Sequence, residues 1–176
     1  KKFVEASSDC DVLITTGGVS VGDADYVKDV LEKVGKVNFW KIAVKPGRPL
    51  AYGKIKKCIF FGLPGNPVSV VVTFNLFVHA ALNKLIGKSN DHALSLEAEL
   101  LTDIKKRKGR KEYKRGILIS KKNKLYVRKS GSQGSNILSS VKDANCYIEL
   151  SENMREVSKG TKVKVLPFTL KSEYYE

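Results

Sequence analysis

Apolar and polar residues change period several times along this chain, and each change marks an element. Residues 11–16, Asp-Val-Leu-Ile-Thr-Thr, form the short β-branched run of a buried strand. The period then turns helical at Tyr26, Val27, Val30, Leu31 and Val34. Upstream, Phe3 to Ser8 reads as the last turns of a helix feeding that strand. Gly35 stands at a helix C-cap, and residues 37–44 read as a second strand. On one extended segment Lys41 and Lys45, four apart, share a face. Residues 45–49, Lys-Pro-Gly-Arg-Pro, make a compact loop that presents Lys45 and Arg48, because two prolines fix φ and Gly47 supplies the turn. Residues 50–53 and 58–62 read as strands joined by a turn at 54–57, the second buried on both faces. After another turn at 63–67, Val68 to Ile86 has helical length despite its β-branched start, with Asn66 as N-cap, Pro67 at N1 and an end near Gly87.

Strands and helices alternating over 1–88 predict an α/β sheet with glycine turns at its strand ends, where such folds bind ligands. Residues 88–92 have linker composition. Beyond them, short alternating segments at 94–102, 112–120, 124–128, 146–150 and 161–166 predict a small all-β domain over 92–176. With 176 residues and 42% hydrophobic content, the chain can bury the core of one large or two small domains. No continuous apolar run approaches the roughly 18 residues that cross a bilayer. The basic start is followed by Glu5 and Asp9 rather than a signal-peptide core, so a soluble, cytoplasmic protein without membrane contact is expected. Cys10, Cys58 and Cys146 show neither a disulfide framework nor a zinc spacing and are expected to be reduced. The chain opens at Lys1 and its single methionine is Met154, which points to the remainder of a longer polypeptide.

Charge adds a ligand class. The net charge is +14, and both halves are basic: 13 basic against 7 acidic residues over 1–90, and 19 against 11 over 91–176. Such a field favours anions and brings nucleic acid into consideration. The densest run, residues 105–115, reads either as a phosphate-binding stripe or as a solvated hairpin. With Tyr113 its only aromatic, the solvated reading is preferred. Residues 130–135, Ser-Gly-Ser-Gln-Gly-Ser, are either a flexible connection or a second backbone-rich anion loop. His79 and His92 read as core or capping residues. The main chemical signal is the turn after the first strand. Gly17, Gly18 and Gly22 permit φ above zero and close approach, so backbone N–H groups and a helix N-terminus can face a phosphate. The spacing fits neither a dinucleotide fingerprint nor a P-loop, and glycine for turn geometry alone is the alternative.

Six motifs then occur in order: Gly17-Gly-Val-Ser-Val-Gly-Asp-Ala-Asp25, Phe39-Trp-Lys41, Lys45-Pro-Gly-Arg-Pro49, Gly62-Leu-Pro-Gly-Asn-Pro67, Arg115-Gly116 and Gly131-Ser-Gln-Gly-Ser135. Together they resemble the molybdopterin molybdenumtransferase family, called MoeA in bacteria and represented by the E domain of gephyrin. The resemblance implies the second half of a MogA-like, three-layer molybdopterin-binding α/β domain over 1–88 and a C-terminal β-barrel domain over 92–176. The family's N-terminal half has no counterpart here. The implied activity is a transferase of molybdenum cofactor biosynthesis that takes molybdate and adenylated molybdopterin, releases AMP and leaves molybdenum on the pterin dithiolene. Gly17, Gly18, Ser20, Gly22 and Asn66 would hold the pterin phosphate. Asp25 matches the family's catalytic aspartate and would hold Mg2+. Lys41 and Lys45 match lysines that stabilise oxyanions. Molybdate would lie among Lys45, Arg48, Pro49, Arg115 and Ser135, with Arg48 standing where lysine is common. A homodimer of the full-length protein, contact with the adenylating MogA-type protein and no nucleic-acid partner are further implications. A non-catalytic pterin-binding scaffold and a basic nucleic-acid-binding fragment are the alternatives.

Overall fold

The computed structural model describes residues 2–18, 32–88, 94–134 and 137–168. Two compact units divide the chain, one of Lys1–Ile42 and Pro46–His79, the other of Ala43–Lys45 and Ala80–Glu176. A short helix α1 (Lys2–Ala6) opens the chain, followed by β1 (Val12–Thr16), β2 (Lys36–Lys41), β3 (Val44–Lys45), β4 (Pro49–Ile55), β5 (Cys58–Leu63) and one long helix, α2 (Pro67–Leu85). Of the helix expected over 25–34, residues 32–34 are described and helical; the remainder lies outside the described residues.

The first unit is built on a four-stranded sheet in the order β1-β5-β4-β2, with β1 parallel to β5 and the other pairs antiparallel. The continuous apolar run of β5 follows from its central place. Phe60 packs in a core with Ala51 and Ile55, against Phe3, Leu13 and Val34, while the neighbouring Phe61 ring meets Tyr52 at 5.0 Å. The β4–β5 hairpin is tighter than expected, because Lys56 accepts a φ of +53° and lets the strands run on to Ile55 and Cys58.

Two expectations need correction here. Residues 37–44 are not one strand. Pairing with β4 stops at Lys41, and Ala43 is taken up elsewhere, its carbonyl accepting from Lys111 N at 3.0 Å. Lys41 and Lys45 consequently belong to different sheets, and strand alternation does not relate them. Nor is the chain without a segment of membrane-spanning length: α2 has 19 residues and a mean hydropathy of 1.4. Polar residues at 69, 73, 75, 79, 83 and 84 interrupt its apolar run without lowering that mean far enough. A core helix meets the same measure, and Val68, Val72, Thr73 and Val78 of α2 are buried. Its middle, Phe74–Val78, is wound as a π-helix, and His79, which follows, is exposed rather than in the core.

The second unit contains β6 (Leu96–Leu100), β7 (Ile104–Lys105), β8 (Lys111–Lys121), β9 (Lys124–Lys129), the short helix α3 (Ser139–Lys142), β10 (Cys146–Leu150), β11 (Glu156–Val157) and β12 (Lys162–Pro167). Its six-stranded sheet runs β10-β12-β6-β9-β8-β3, and a further β10–β8 pairing closes it into a small barrel. Inward residues of every second position, among them Leu100, Val127, Ile148, Leu150 and Val165, fill the interior. The strands expected from alternation all appear. The two-residue pair β7–β11, α3 and the strand donated by Val44–Lys45 do not announce themselves in the sequence.

The run 105–115 is not a solvated hairpin. From Lys111 onward it is β8, paired at Glu112 on both edges, with Lys45 on one and Leu150 on the other. Glu112 is 2% exposed and Arg115 1%.

Candidate functional site

In the first unit, the C-terminal ends of the two parallel strands carry the glycine turns side by side. Gly17 and Gly18 both have positive φ, at +78° and +67°. Gly17 N donates to Leu63 O at 3.0 Å, and a Cβ built on Gly65 would stand 3.5 Å from Gly17 Cα. Backbone therefore meets backbone with no side chain between; Gly17 N–H is committed to Leu63 O, and the N–H groups that can face an anion are those that follow it in the turn. Asn66 follows immediately. Its Oδ1 accepts from Val68 N at 3.1 Å and Ser69 N at 3.3 Å, capping α2, and its Nδ2 is left as the donor for a ligand. The N-terminus of α2 thus opens beside the first turn and adds partial positive charge. Lys41 ends β2 with its side chain exposed, opposite Pro49 in register. The loop between them is closed by Ile42 N donating to Arg48 O at 2.8 Å; Arg48 itself is exposed. Pro46 and Gly47 are buried, and Gly47 lies against α2, with Thr73 and Ser69 its nearest neighbours there.

In the second unit, Lys45 Nζ lies 3.2 Å from Glu112 Oε1, and Lys114 Nζ lies 2.7 Å from Oε2, an ion pair off hydrogen-bond angle. Burial alone would raise the Glu112 carboxyl, but Lys114 and Lys45 beside it outweigh burial and hold it below its ordinary value. Lys45 is thus a half-compensated cation rather than a free one, and an oxyanion reaching it meets Glu112 as a competitor.

Arg115 leaves the opposite face of β8, because side chains alternate along the strand and Glu112 and Lys114 occupy the other face. Its Nε donates to Ser140 Oγ at 3.0 Å and its Nη2 to Gly134 O at 3.0 Å. Burial pulls the guanidinium below its usual pKa. Gln133 completes the clamp: its Oε1 accepts from Arg115 N at 2.9 Å, while its Nε2 donates to Arg115 O at 3.1 Å and Ser130 O at 2.9 Å. The segment 130–134 is therefore fastened to β8, and of the two readings of residues 130–135 the free connection does not hold over this stretch. Arg115 is not a surface charge; its side chain anchors the loop that leads to Ser135. Lys45 and Arg115, expected around one molybdate, stand on neighbouring strands: Lys45 of β3 meets Glu112 on one face of the sheet, and Arg115 leaves β8 on the other.

Ser20, Gly22, Asp25 and Ser135 lie outside the described residues. Among the described residues, no group of three or more His, Cys, Asp and Glu side chains is gathered where a metal ion would sit. The expected magnesium rests on Asp25 alone. Motif reading does not single out Ser140 and Glu112, and Gln133 stands in a quoted motif without a role; the signal for all three is long-range, Gln133 and Ser140 bonding to Arg115 of β8 and Glu112 of β8 to Lys45.

Residues 1–84 match the family described as "Probable molybdopterin binding domain", and residues 97–168 match the MoeA C-terminal region, domain IV. The molybdopterin molybdenumtransferase of Haemophilus influenzae is 45% identical over 170 residues, covering 96% of this chain and 42% of that protein. Gephyrin of Dictyostelium discoideum is 40% identical over 188 residues, covering 93% and 26%. Among solved structures, the molybdopterin biosynthesis MoeA protein of Pyrococcus horikoshii superposes with a TM-score of 0.70 at 29% identity, over 94% of this chain and 37% of that one. The chain thus spans less than half the length of each of these relatives. With two domain matches in the family's order and a shared fold across nearly all its residues, the chain belongs to the molybdopterin molybdenumtransferase family of MoeA and gephyrin and carries its molybdopterin-binding and C-terminal regions.

Proposed function

We propose that this chain serves molybdenum cofactor biosynthesis by binding adenylated molybdopterin and molybdate for the insertion of molybdenum, with cleavage of the phosphoanhydride and release of AMP. The observation that carries this reading is the apposition of the Gly17-Gly18 turn and the Gly65-Asn66 turn at the capped N-terminus of α2. Both substrates are anions, and the turns offer N–H donors without side-chain obstruction. In this reading Gly17, Gly18, Ser20, Gly22 and Asn66 receive the pterin phosphate, and Lys41 neutralises charge developing at the cleaved anhydride. Lys45, Arg48, the Pro49 turn and Ser135 receive molybdate. Arg115 acts as a positioning residue that holds the Ser135 loop through Gly134, rather than as a direct ligand. Asp25 is assigned to the reacting centre and, when magnesium is bound, to that ion, which would supply a Lewis acid at the anhydride. We place the protein in the cytoplasm and, at full length, in a homodimer that meets its adenylating partner.

The test is AMP release by the full-length enzyme supplied with molybdate and adenylated molybdopterin. Asp25→Asn and Lys41→Ala should each slow release by about two orders of magnitude. Release at the wild-type rate in both would remove the assignment, and binding of pterin without release in the unaltered enzyme would favour the scaffold reading.

A further inference from the structure

We propose that the second unit holds a separate binding site for a small polyphosphate anion, two or more linked phosphate groups, in the hollow between β3 and the segment leading into β8. This inference does not depend on the proposed transferase activity and shares only Lys45 with it.

The hollow measures about 420 Å³ and is lined by seven cations and one carboxylate, Glu112. Several of these charges are already committed. Lys106 Nζ donates to Ser151 O at 2.8 Å and Met154 O at 3.1 Å, and Lys105 pairs with Glu156 at 3.5 Å. Lys45 and Lys114 share Glu112. Arg107, Lys108 and Arg110 have no ion pair among the described residues and line the same hollow. Positive charge therefore exceeds negative by far more than one orthophosphate neutralises. Two guanidinium groups also supply the paired donors that phosphate oxygens take. The volume is in the range of small-ligand sites, about 300–1,000 Å³, and larger than a lone tetrahedral anion fills.

Glu112 makes this more than a crowd of surface lysines. Its side chain is 3% exposed and sits at the floor with an ammonium on each oxygen. Lys114, 14% exposed, is fixed there, whereas Lys45, 45% exposed, can turn from the carboxylate to an incoming phosphate. The carboxylate thus competes with the ligand for Lys45 and sets its affinity. A nucleic-acid strand is the less suited occupant, because among the described residues no aromatic side chain lines the hollow to stack a base.

Calorimetric titration of the 176-residue chain with inorganic pyrophosphate, tripolyphosphate, orthophosphate and molybdate, at a fixed ionic strength of about 0.15 M, tests the proposal. One saturable site should bind pyrophosphate and tripolyphosphate at least about tenfold more tightly than either single-centre anion. Arg107→Ser with Arg110→Ser, the first exposed and the second half-buried, checked for unchanged circular dichroism, should weaken pyrophosphate by about tenfold or more. Glu112→Gln should tighten it several-fold, and AMP release by the full-length enzyme carrying the arginine pair should stay at the wild-type rate. Equal affinity for all four anions, or an affinity indifferent to the two arginines, would overturn the site. So would an oligonucleotide that displaces pyrophosphate with the same arginine dependence. Loss of AMP release in the arginine variant would show that the hollow belongs to the reacting centre and is not separate.

Discussion

Replacing Gly47 with alanine tests whether the loop carrying Lys45 and Arg48 is truly seated on α2. Gly47 has a φ of +105°, outside the range an L residue adopts comfortably, and a Cβ there would fall 2.5 Å from Thr73 Cγ2. The torsional part costs about 1–3 kcal/mol. Forcing a methyl into that contact costs about 1–3 kcal/mol more. Thr73 has little room to yield, since its Oγ1 donates to Ser69 O at 2.8 Å and the residue is fully buried. Gly47→Ala should therefore destabilise the first unit by about 2–6 kcal/mol. With an m-value of about 2 kcal/mol per molar, the urea midpoint drops by about 1–3 M. The single tryptophan, Trp40, belongs to β2 of that unit, so its fluorescence follows the relevant transition. Thr73→Ser removes Cγ2 and keeps the hydroxyl. In that background only the torsional part of the alanine penalty should remain, and the coupling between the two changes measures the contact. A Gly47→Ala protein within about 0.5 kcal/mol of wild type, or a coupling of zero, would refute the packing of this loop on α2.

Further outcomes follow from the second unit and the cysteines. Because Glu112 has a folded pKa below its ordinary value, its contribution is present above about pH 4.5 and is lost as pH falls through the lower folded value. Glu112→Gln should cost about 2 kcal/mol at pH 7, and urea titrations of the two proteins should converge toward pH 3; a pH-independent gap would contradict the ion-pair account. Gln133→Ala leaves Arg115 N without its partner and should cost about 1–3 kcal/mol, with faster amide exchange over 130–134; unchanged exchange would deny the clamp. Cys10 Sγ and Cys58 Sγ stand 3.5 Å apart, and burial together with Cys10 pushes the Cys58 thiol up to about 11. Hydrogen peroxide should oxidise half-buried Cys10 to a sulfenic acid, which Cys58 displaces as a disulfide with loss of water. Cys146, buried and raised to about 12, should stay reduced, and mass spectrometry finding it modified first would contradict this order.

Much of the architecture was legible because it is carried by local pattern. The apolar run of β5, Asn66-Pro67 ahead of a helix, and the alternation in β8, β9 and β10 each state their element within a few residues. What escaped depends on partners distant in sequence. The run Ile42-Ala43-Val44 has no punctuation before Pro46, so nothing local shows that its end pairs with residues 111–112. Glu112 and Arg115 read as solvated charge because the groups that satisfy them, Lys45 for one and Ser140 with Gly134 for the other, come from elsewhere. The paired glycine turns were readable as a candidate anion site, since positive φ and close approach are what glycine supplies. That Lys45, on β3, and Arg115, on β8, lie on opposite faces of one sheet was not, because it follows from register alone.

The strand Val44–Lys45 has a consequence for how this protein can be taken apart. Residues 88–92 look like the natural seam, and a gene segment beginning there would encode every strand of the barrel except this one. Expressed alone, such a segment would present the start of β8 with a bare edge, ready to recruit a strand from another molecule. Grafted onto a foreign α/β half, it would accept whatever pair of residues followed that host's second strand. The barrel is thus not a cassette: its outermost strand travels with the first sheet, and the two halves must be exchanged, shuffled or inherited together.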